Sequence, residues 1–254
     1  MEYPKRPFFA RKGGKTKLTK KINKYIPKDS NIYVEPFVGA GSVFLSKRIF
    51  DLEIINDKDK DIYHIWKDVK KCGEKISNMK FEPSLNKFEN LKKGQNYKNN
   101  RIRLFRNLYI SFFSFGQNRR DYIGGFAEKL PRYNRNTVGI NLKKNCKKYK
   151  ERLKNVKIYN QDYKKIIKKF DSKKTFFYLD PPYSYTPNDY KNFVTPIDVY
   201  NNVKNIKGKF LLSYDNSKEI RSIFKEYKIR KLNTTYKVAL GKDMKKTELL
   251  ISNY

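Results

Sequence analysis

The chain is 254 residues long, enough for one sizeable core or a core with an insertion. It carries 59 Lys and Arg against 25 Asp and Glu, a formal net charge of +34, which points to a polyanionic partner, nucleic acid before membrane. Eighteen Phe and 20 Tyr argue against disorder, the distant cysteines Cys72 and Cys146 with the lone His64 argue against zinc, and no apolar run approaches a membrane span.

Residues 1–15 read as irregular and basic, ending Arg11-Lys12-Gly13-Gly14-Lys15. Paired glycines allow close backbone approach to a ligand, and the lysines suit phosphate or a base edge; a flexible basic tail is the competing reading. Met1 to Lys12 lacks the apolar stretch of a signal peptide, so an intracellular protein, cytoplasmic or nucleoid-associated, is expected. Leu18, Ile22, Tyr25 and Ile26 recur at helical spacing over 16–26, and Pro27 stops that helix.

Residues 31–37 (Asn31 to Phe37) form a buried-type strand, followed by a turn with Gly39 and Gly41 and a helix over 42–50. Strand, glycine turn and helix in that order make a nucleotide-binding corner. Phe44 stands where the dinucleotide fingerprint has its third glycine, and no Gly-Lys-Ser/Thr follows, so the turn argues against NAD and against a phosphate loop. It suits a nucleoside lying against the backbone. A second strand, Glu53 to Asp57, ends in an acid near the spacing expected for a ribose partner. Asp59 and Asp61 read as exposed acids or acids of a helix N-terminus, and His64 to Val69 continues as helix, with His64 in a packing or surface role.

From Lys71 to Lys150 the strand–helix rhythm breaks. Residues 81–100 read as loop and short helix, and Arg101 to Phe113 as an amphipathic helix with Ile102, Phe105, Tyr109 and Phe112 on a core stripe. Gly124-Gly125 marks a hairpin tip, and Arg119 and Arg120 on its rim suit either guanine edges or phosphates. A strand over 154–159 leads to Asp162 and Tyr163, where Asp162 either accepts from an adenine amino group or caps the next helix.

Phe176 to Leu179 is a buried-type strand that runs into Asp180-Pro181-Pro182-Tyr183. Two prolines end the ladder and stiffen the backbone there. A carboxylate and a free carbonyl are both acceptors and can take both hydrogens of an exocyclic amine, while a ring beside them can stack on its heterocycle. The competing reading is a turn that merely ends a strand. Residues 184–193 read as a loop able to close over a substrate. A helix over 196–206, a strand over 209–214, a helix over 217–227 and closing strands near 229–239 and 246–253, with Gly241 at their turn, complete the sheet.

Phe37-Val38-Gly39-Ala40-Gly41 followed much later by Asp180-Pro181-Pro182-Tyr183 resembles the amino-methyltransferases, in the order of the alpha group of Dam-type DNA adenine methyltransferases. The likeness also takes in Gly13-Gly14-Lys15, Asn56-Asp57, the hairpin at Gly125-Phe126 and Glu248-Leu249-Leu250. It implies an α/β fold: a Rossmann-like methyltransferase sheet, mostly parallel with an antiparallel C-terminal hairpin, plus a helical and hairpin target-recognition insertion. Residues 1–68 and 150–254 would form the catalytic, S-adenosylmethionine-binding part and 69–149 the DNA-binding insertion.

The implied reaction moves a methyl group from S-adenosylmethionine to N6 of a flipped adenine in duplex DNA, with GATC as the expected target and no metal required. Asp180, Pro181, Pro182 and Tyr183 would be catalytic. Arg11, Lys15, Phe37, Gly39, Ala40, Gly41, Asp57, Asp162, Tyr163 and Asp180 would line the cofactor, and Lys12, Arg119, Arg120, Tyr122 and Lys129 would meet DNA. Arg11 stands where the family usually carries an aromatic residue, and Ala127 where its hairpin has Asn. Double-stranded DNA, no membrane, a monomer or weak dimer and, for a restriction-linked enzyme, an endonuclease counterpart complete the expectation. RNA adenine methylation and a non-catalytic DNA-binding protein of the same fold are the alternatives.

Overall fold

The computed structural model describes residues 2–9, 11, 13–72, 76, 78–94, 97–114, 135–182, 194–237 and 243–254, with backbone alone for 72, 135–141, 236–237 and 243–245. In chain order the elements are α1 (Thr19–Ile22), β1 (Ile32–Glu35), α2 (Ser42–Ser46), β2 (Leu52–Asn56), α3 (Lys60–Cys72), α4 (Leu85–Lys93), α5 (Asn100–Phe113) and α6 (Arg135–Leu153). Then follow β3 (Lys157–Tyr159), α7 (Tyr163–Phe170), β4 (Thr175–Leu179), α8 (Pro196–Val203), β5 (Lys209–Asp215), α9 (Lys218–Ile223), β6 (Lys228–Lys237) and β7 (Asp243–Ser252).

The strands form a seven-stranded sheet in the order β3-β2-β1-β4-β5-β7-β6. Pairing is parallel from β3 to β5, whereas β7 runs antiparallel to both β5 and β6. The chain leaves β1 toward β2 on one side and returns at β4 on the other. A crevice at the carboxyl ends of β1 and β4 follows from that reversal, and open α/β sheets bind ligands there.

Alternate strand residues feed two apolar layers. Tyr33, Phe176 and Tyr178 face Phe44, Trp66, Tyr109 and Tyr149, while Val34, Phe177 and Leu179 face Tyr163, Ile166, Val199 and Ile220. Burial on both faces is why β1 and β4 read as continuous apolar runs. The N-terminal segment is part of this core. Phe8 and Phe9 are buried, with the Phe8 ring 5.0 Å from Trp66 and 4.9 Å from Tyr149, and the Tyr149 hydroxyl donates to the Arg6 carbonyl. The flexible-tail reading therefore fails for these residues.

Several boundaries differ from expectation. The first helix is short and passes into a 3₁₀ turn over Asn23–Tyr25, because the residue before Pro27, Ile26, is forced extended at φ −75°, ψ 120°. Helix α2 stops at Ser46 rather than at 50, since Lys47 turns extended and sends its ammonium inward to Glu53. On α5 the rings of Phe105, Tyr109 and Phe112 do pack, against Phe81 and Phe113. Ile102, however, is 49% exposed, one turn before that cluster begins. No helix among the described residues is long and apolar enough to cross a membrane.

Candidate active site

The crevice is built from two half-sites joined by one segment. In the first half, β1 ends at Glu35 and the chain turns through Pro36 to Gly41, with Gly41 N–H donating to the Val38 carbonyl and Val38 N–H to the Asn56 carbonyl. The buried Asn56 amide bonds the carbonyls of Pro36 and Gln161 and accepts from Gln161 N–H, tying together the ends of β1, β2 and β3. That bracing holds the next residue, Asp57, under the turn: its carboxylate accepts from Gly39 N–H at 2.9 Å and from Asp59 N–H at 3.0 Å. Burial raises the Asp57 carboxyl above its ordinary range; Arg11 opposes that and Asp59 adds to it.

Gly39 and Gly41 both have positive φ, +48° and +70°. They serve different neighbours. A Cβ on Gly41 would stand 2.4 Å from the Trp66 ring, whereas one on Gly39 would meet only the Arg11 side chain, at 3.7 Å. Gly39 therefore opens toward the crevice and Gly41 makes room for Trp66, whose indole N–H bonds the Gly39 carbonyl. Both glycines were expected to lie against a ligand; Gly41 carries a second constraint, the Trp66 ring, that Gly39 does not. Ala40 is buried. Phe37 lies partly buried with its ring 5.0 Å from that of Tyr163, and Tyr163 donates its hydroxyl to Asp198 at 2.8 Å.

Asp162 is the N-cap of α7, accepting from Lys164 N–H, and its other oxygen pairs with Lys58. Of the two readings of this residue, the cap is the one seen. Burial works against its charge, but those partners hold the carboxyl below its usual range.

In the second half, β4 delivers Asp180 and the buried Pro181 to the same edge. Lys15 Nζ bonds Asp180 Oδ1 at 2.8 Å and the Gly13 carbonyl at 3.1 Å, and the lysine is only 4% exposed. Burial penalises this ammonium, yet Asp180, Tyr178 and Glu248 outweigh the penalty and hold it charged, well above the ordinary lysine range. Burial likewise raises the Asp180 carboxyl, with Lys15 pulling it back down and Glu248 pushing it up. Glu248 reaches the edge because β7 sets it opposite Asp215 in the ladder, and it pairs with Lys246.

One turn of chain spans both halves. Gly14 N–H returns to the Arg11 carbonyl and Leu18 N–H to the Lys15 carbonyl. From this turn Arg11 reaches Asp59 at 3.1 Å on one side, while Lys15 reaches Asp180 on the other. Thr16 and Ser42 join their hydroxyls and fix the turn to the start of α2. The sequence placed Lys15 and Asp180 along the same cofactor without pairing them, gave Asp59 no place at this edge, and offered Glu248 only as part of the resemblance, with no role. Asp59 was read from its helix-terminal position, and an acid in a late strand carries no signal of which strand it will face. Tyr183, Lys12, Arg119, Arg120, Tyr122, Lys129, the Gly124-Gly125 hairpin, the 184–193 loop and Gly241 lie outside the described residues.

Residues 12–238 match the family of D12 class N6 adenine-specific DNA methyltransferases. The chain belongs to that family. A type II methyltransferase of Methanocaldococcus jannaschii, M.MjaIII, is 27% identical over 98% of this chain and 99% of its own length. A second, M1.LlaDCHI of Lactococcus lactis subsp. cremoris, is 26% identical over 98% of this chain and 95% of its own. A DNA adenine methylase of Haemophilus influenzae is 45% identical over 65 residues, which are 26% of this chain and 22% of that protein. The order of motifs in this D12 methyltransferase, glycine turn first and Asp180-Pro181-Pro182 after a long intervening segment, agrees with its fold. Among the described residues no group of three or more His, Cys, Asp or Glu could hold a metal ion.

Proposed function

We propose that this D12 methyltransferase transfers a methyl group from S-adenosylmethionine to N6 of an adenine flipped out of duplex DNA. The observation that carries the reading is the meeting of Gly39 and Asp57 with Asp180 across one crevice, beneath one basic turn. The residues present fit the donor. Gly39 leaves backbone open where a side chain would stand, and Asp57 offers a carboxylate to ribose hydroxyls. Phe37, Ala40, Gly41, Arg11, Lys15, Asp162 and Tyr163 complete the donor's surroundings, with the mutually tilted rings of Phe37 and Tyr163 supplying apolar surface.

When bound, the donor would supply an electrophilic methyl group from a sulfonium that departs as the neutral thioether, and the methylated nitrogen, cationic once its lone pair is used, would release one of its two hydrogens as a proton. The protein's part is to prepare the nucleophile. Asp180 and the Pro181 carbonyl each accept one hydrogen of the adenine amine, bending it out of the ring plane so that its lone pair is no longer delocalised. Pro181 and Pro182 keep those two oxygens from relaxing with the backbone. Tyr183 stacks on the extruded base. Lys15 steadies the Asp180 charge, and a duplex must surrender the base before it can enter the corner.

In the same reading, 69–149 reads the target, 1–68 and 150–254 carry the chemistry, and Lys12, Arg119, Arg120, Tyr122 and Lys129 contact DNA. GATC is the first sequence to test, and the type II names of the relatives favour an endonuclease counterpart. Incubation with tritiated S-adenosylmethionine and matched duplex DNA and RNA decides the substrate. Label in N6-methyladenine of the DNA supports the proposal; label in RNA alone overturns it in favour of RNA methylation.

A further inference from the structure

Arg11 lies along the open side of Gly39, its Cδ 3.7 Å from where a Cβ would stand, and its guanidinium reaches Asp59 at 3.1 Å. Asp59 in turn bonds Asp57 Oδ1 through its backbone N–H. Two carboxylates two residues apart therefore share one half-buried corner. The groups facing Asp57 among the described residues come from three elements: Gly39 N–H from the glycine turn, Asp59 from the start of α3, and Arg11 from the N-terminal turn. Lys58, between the two acids in sequence, is turned away to Asp162. The Asn160 amide holds only the Asp57 carbonyl.

We infer that Arg11 is a positioning residue that acts through Asp57: it is the counter-ion that lets Asp57 and Asp59 keep both negative charges in the cofactor half of the crevice. The inference rests on the donor-binding reading of Asp57. Two like charges held this close cannot both persist without a cation, and the more buried one takes a proton first. A protonated Asp57 loses acceptor capacity toward two hydroxyls. Burial already raises the Asp57 carboxyl, and among the described residues Arg11 is the cation that pulls it back down. A stacking aromatic at position 11 would give the donor a surface; an arginine there changes the task to electrostatics.

The test is calorimetric binding of sinefungin, a non-reacting analogue of the donor, between pH 5.5 and 8.5. The wild type should bind with nearly constant affinity from pH 6 to 8. Arg11→Gln should weaken binding progressively as pH falls from 8 to 6, approaching about tenfold per pH unit once the pH lies below the raised carboxyl. Arg11→Lys should restore the flat profile, and adding Asp59→Asn to Arg11→Gln should recover most of the loss. A ¹³C-carboxyl titration of Asp57 should move upward in Arg11→Gln. Unchanged affinity at every pH, or a pH-independent loss that Asp59→Asn does not relieve, overturns the inference, the latter by making Arg11 a direct contact of the donor. If the wild type binds no sinefungin at any pH, the donor reading fails instead, and the Asp57 titration by itself decides the role of Arg11.

Discussion

Gly39 and Gly41 illustrate how two like residues in one motif carry unlike constraints. Alanine at position 41 meets both a left-handed backbone and the Trp66 ring, so Gly41→Ala should cost about 3 kcal/mol in urea unfolding, strain plus overpacking. Gly39→Ala meets the strain without the collision, about 1–2 kcal/mol, and should instead weaken sinefungin binding. Equal losses of stability in the two variants would contradict the assignment. The motif was legible in the sequence, but which side chain faces each glycine was not, because Trp66 arrives from a helix 25 residues on. Lys15 and Asp180 are similar: each stood out alone, and their pairing depends on a turn crossing the sheet edge. Removing that cation leaves burial and Glu248 to raise the Asp180 carboxyl further. Lys15→Gln should therefore move the acid limb of the rate–pH profile to higher pH, and an unmoved limb would refute the pairing's role.

At the scale of elements, buried charges set boundaries that propensity does not. Glu53 on β2 takes both Lys47, at the end of α2, and Arg152, from α6, and all three are buried. Glu53→Gln leaves two buried cations facing each other and should cost about 3 kcal/mol or more by denaturant titration. A neutral result would mean the cluster is dispensable. Glu35, at the carboxyl end of β1, accepts from the Tyr33 hydroxyl, and burial pushes its carboxyl up to about 8 from 4.5. The folded chain thus holds an extra proton between those values. This contribution to stability is full below the unfolded value and is lost as pH rises through 8. Glu35→Gln should flatten the decline in unfolding free energy between pH 5 and 8.5; a curve parallel to wild type would contradict this. Strands β1, β4 and β5 were legible because both faces are apolar, and α5 because of its apolar stripe, whereas α4 was read only as loop and short helix. The early end of α2 was not, because the reason for it is a carboxylate on the next strand.

Across the whole molecule, the +34 charge contrasts with an acidic crevice edge of the sheet, where Asp57, Asp59, Asp180, Asp215 and Glu248 gather. Lys165, Lys168 and Lys169 carry part of the positive charge on the exposed face of α7, where Lys164 is paired with Asp198. Duplex binding should fall roughly 10³-fold or more between about 50 and 200 mM salt if about six phosphates are contacted. A flat response would make the charge compositional. The alternation of apolar runs and helices made the strand–helix order readable, whereas the mostly parallel sheet with its antiparallel C-terminal pair was implied by the family resemblance. The helices between β2 and β3 share one core with the sheet, so apolar spacing announced their presence without their arrangement.

The role proposed for Asp180, readying an extruded adenine for methylation, is open to direct measurement. Its most direct measurement is mass spectrometry of nucleosides from duplex DNA incubated with deuteromethyl-labelled S-adenosylmethionine and either wild type or Asp180→Ala. Labelled N6-methyldeoxyadenosine should form with the wild type and fall to background with Asp180→Ala, while duplex binding by the variant stays within a few-fold. Equal product from both proteins, or label on another base, would contradict it.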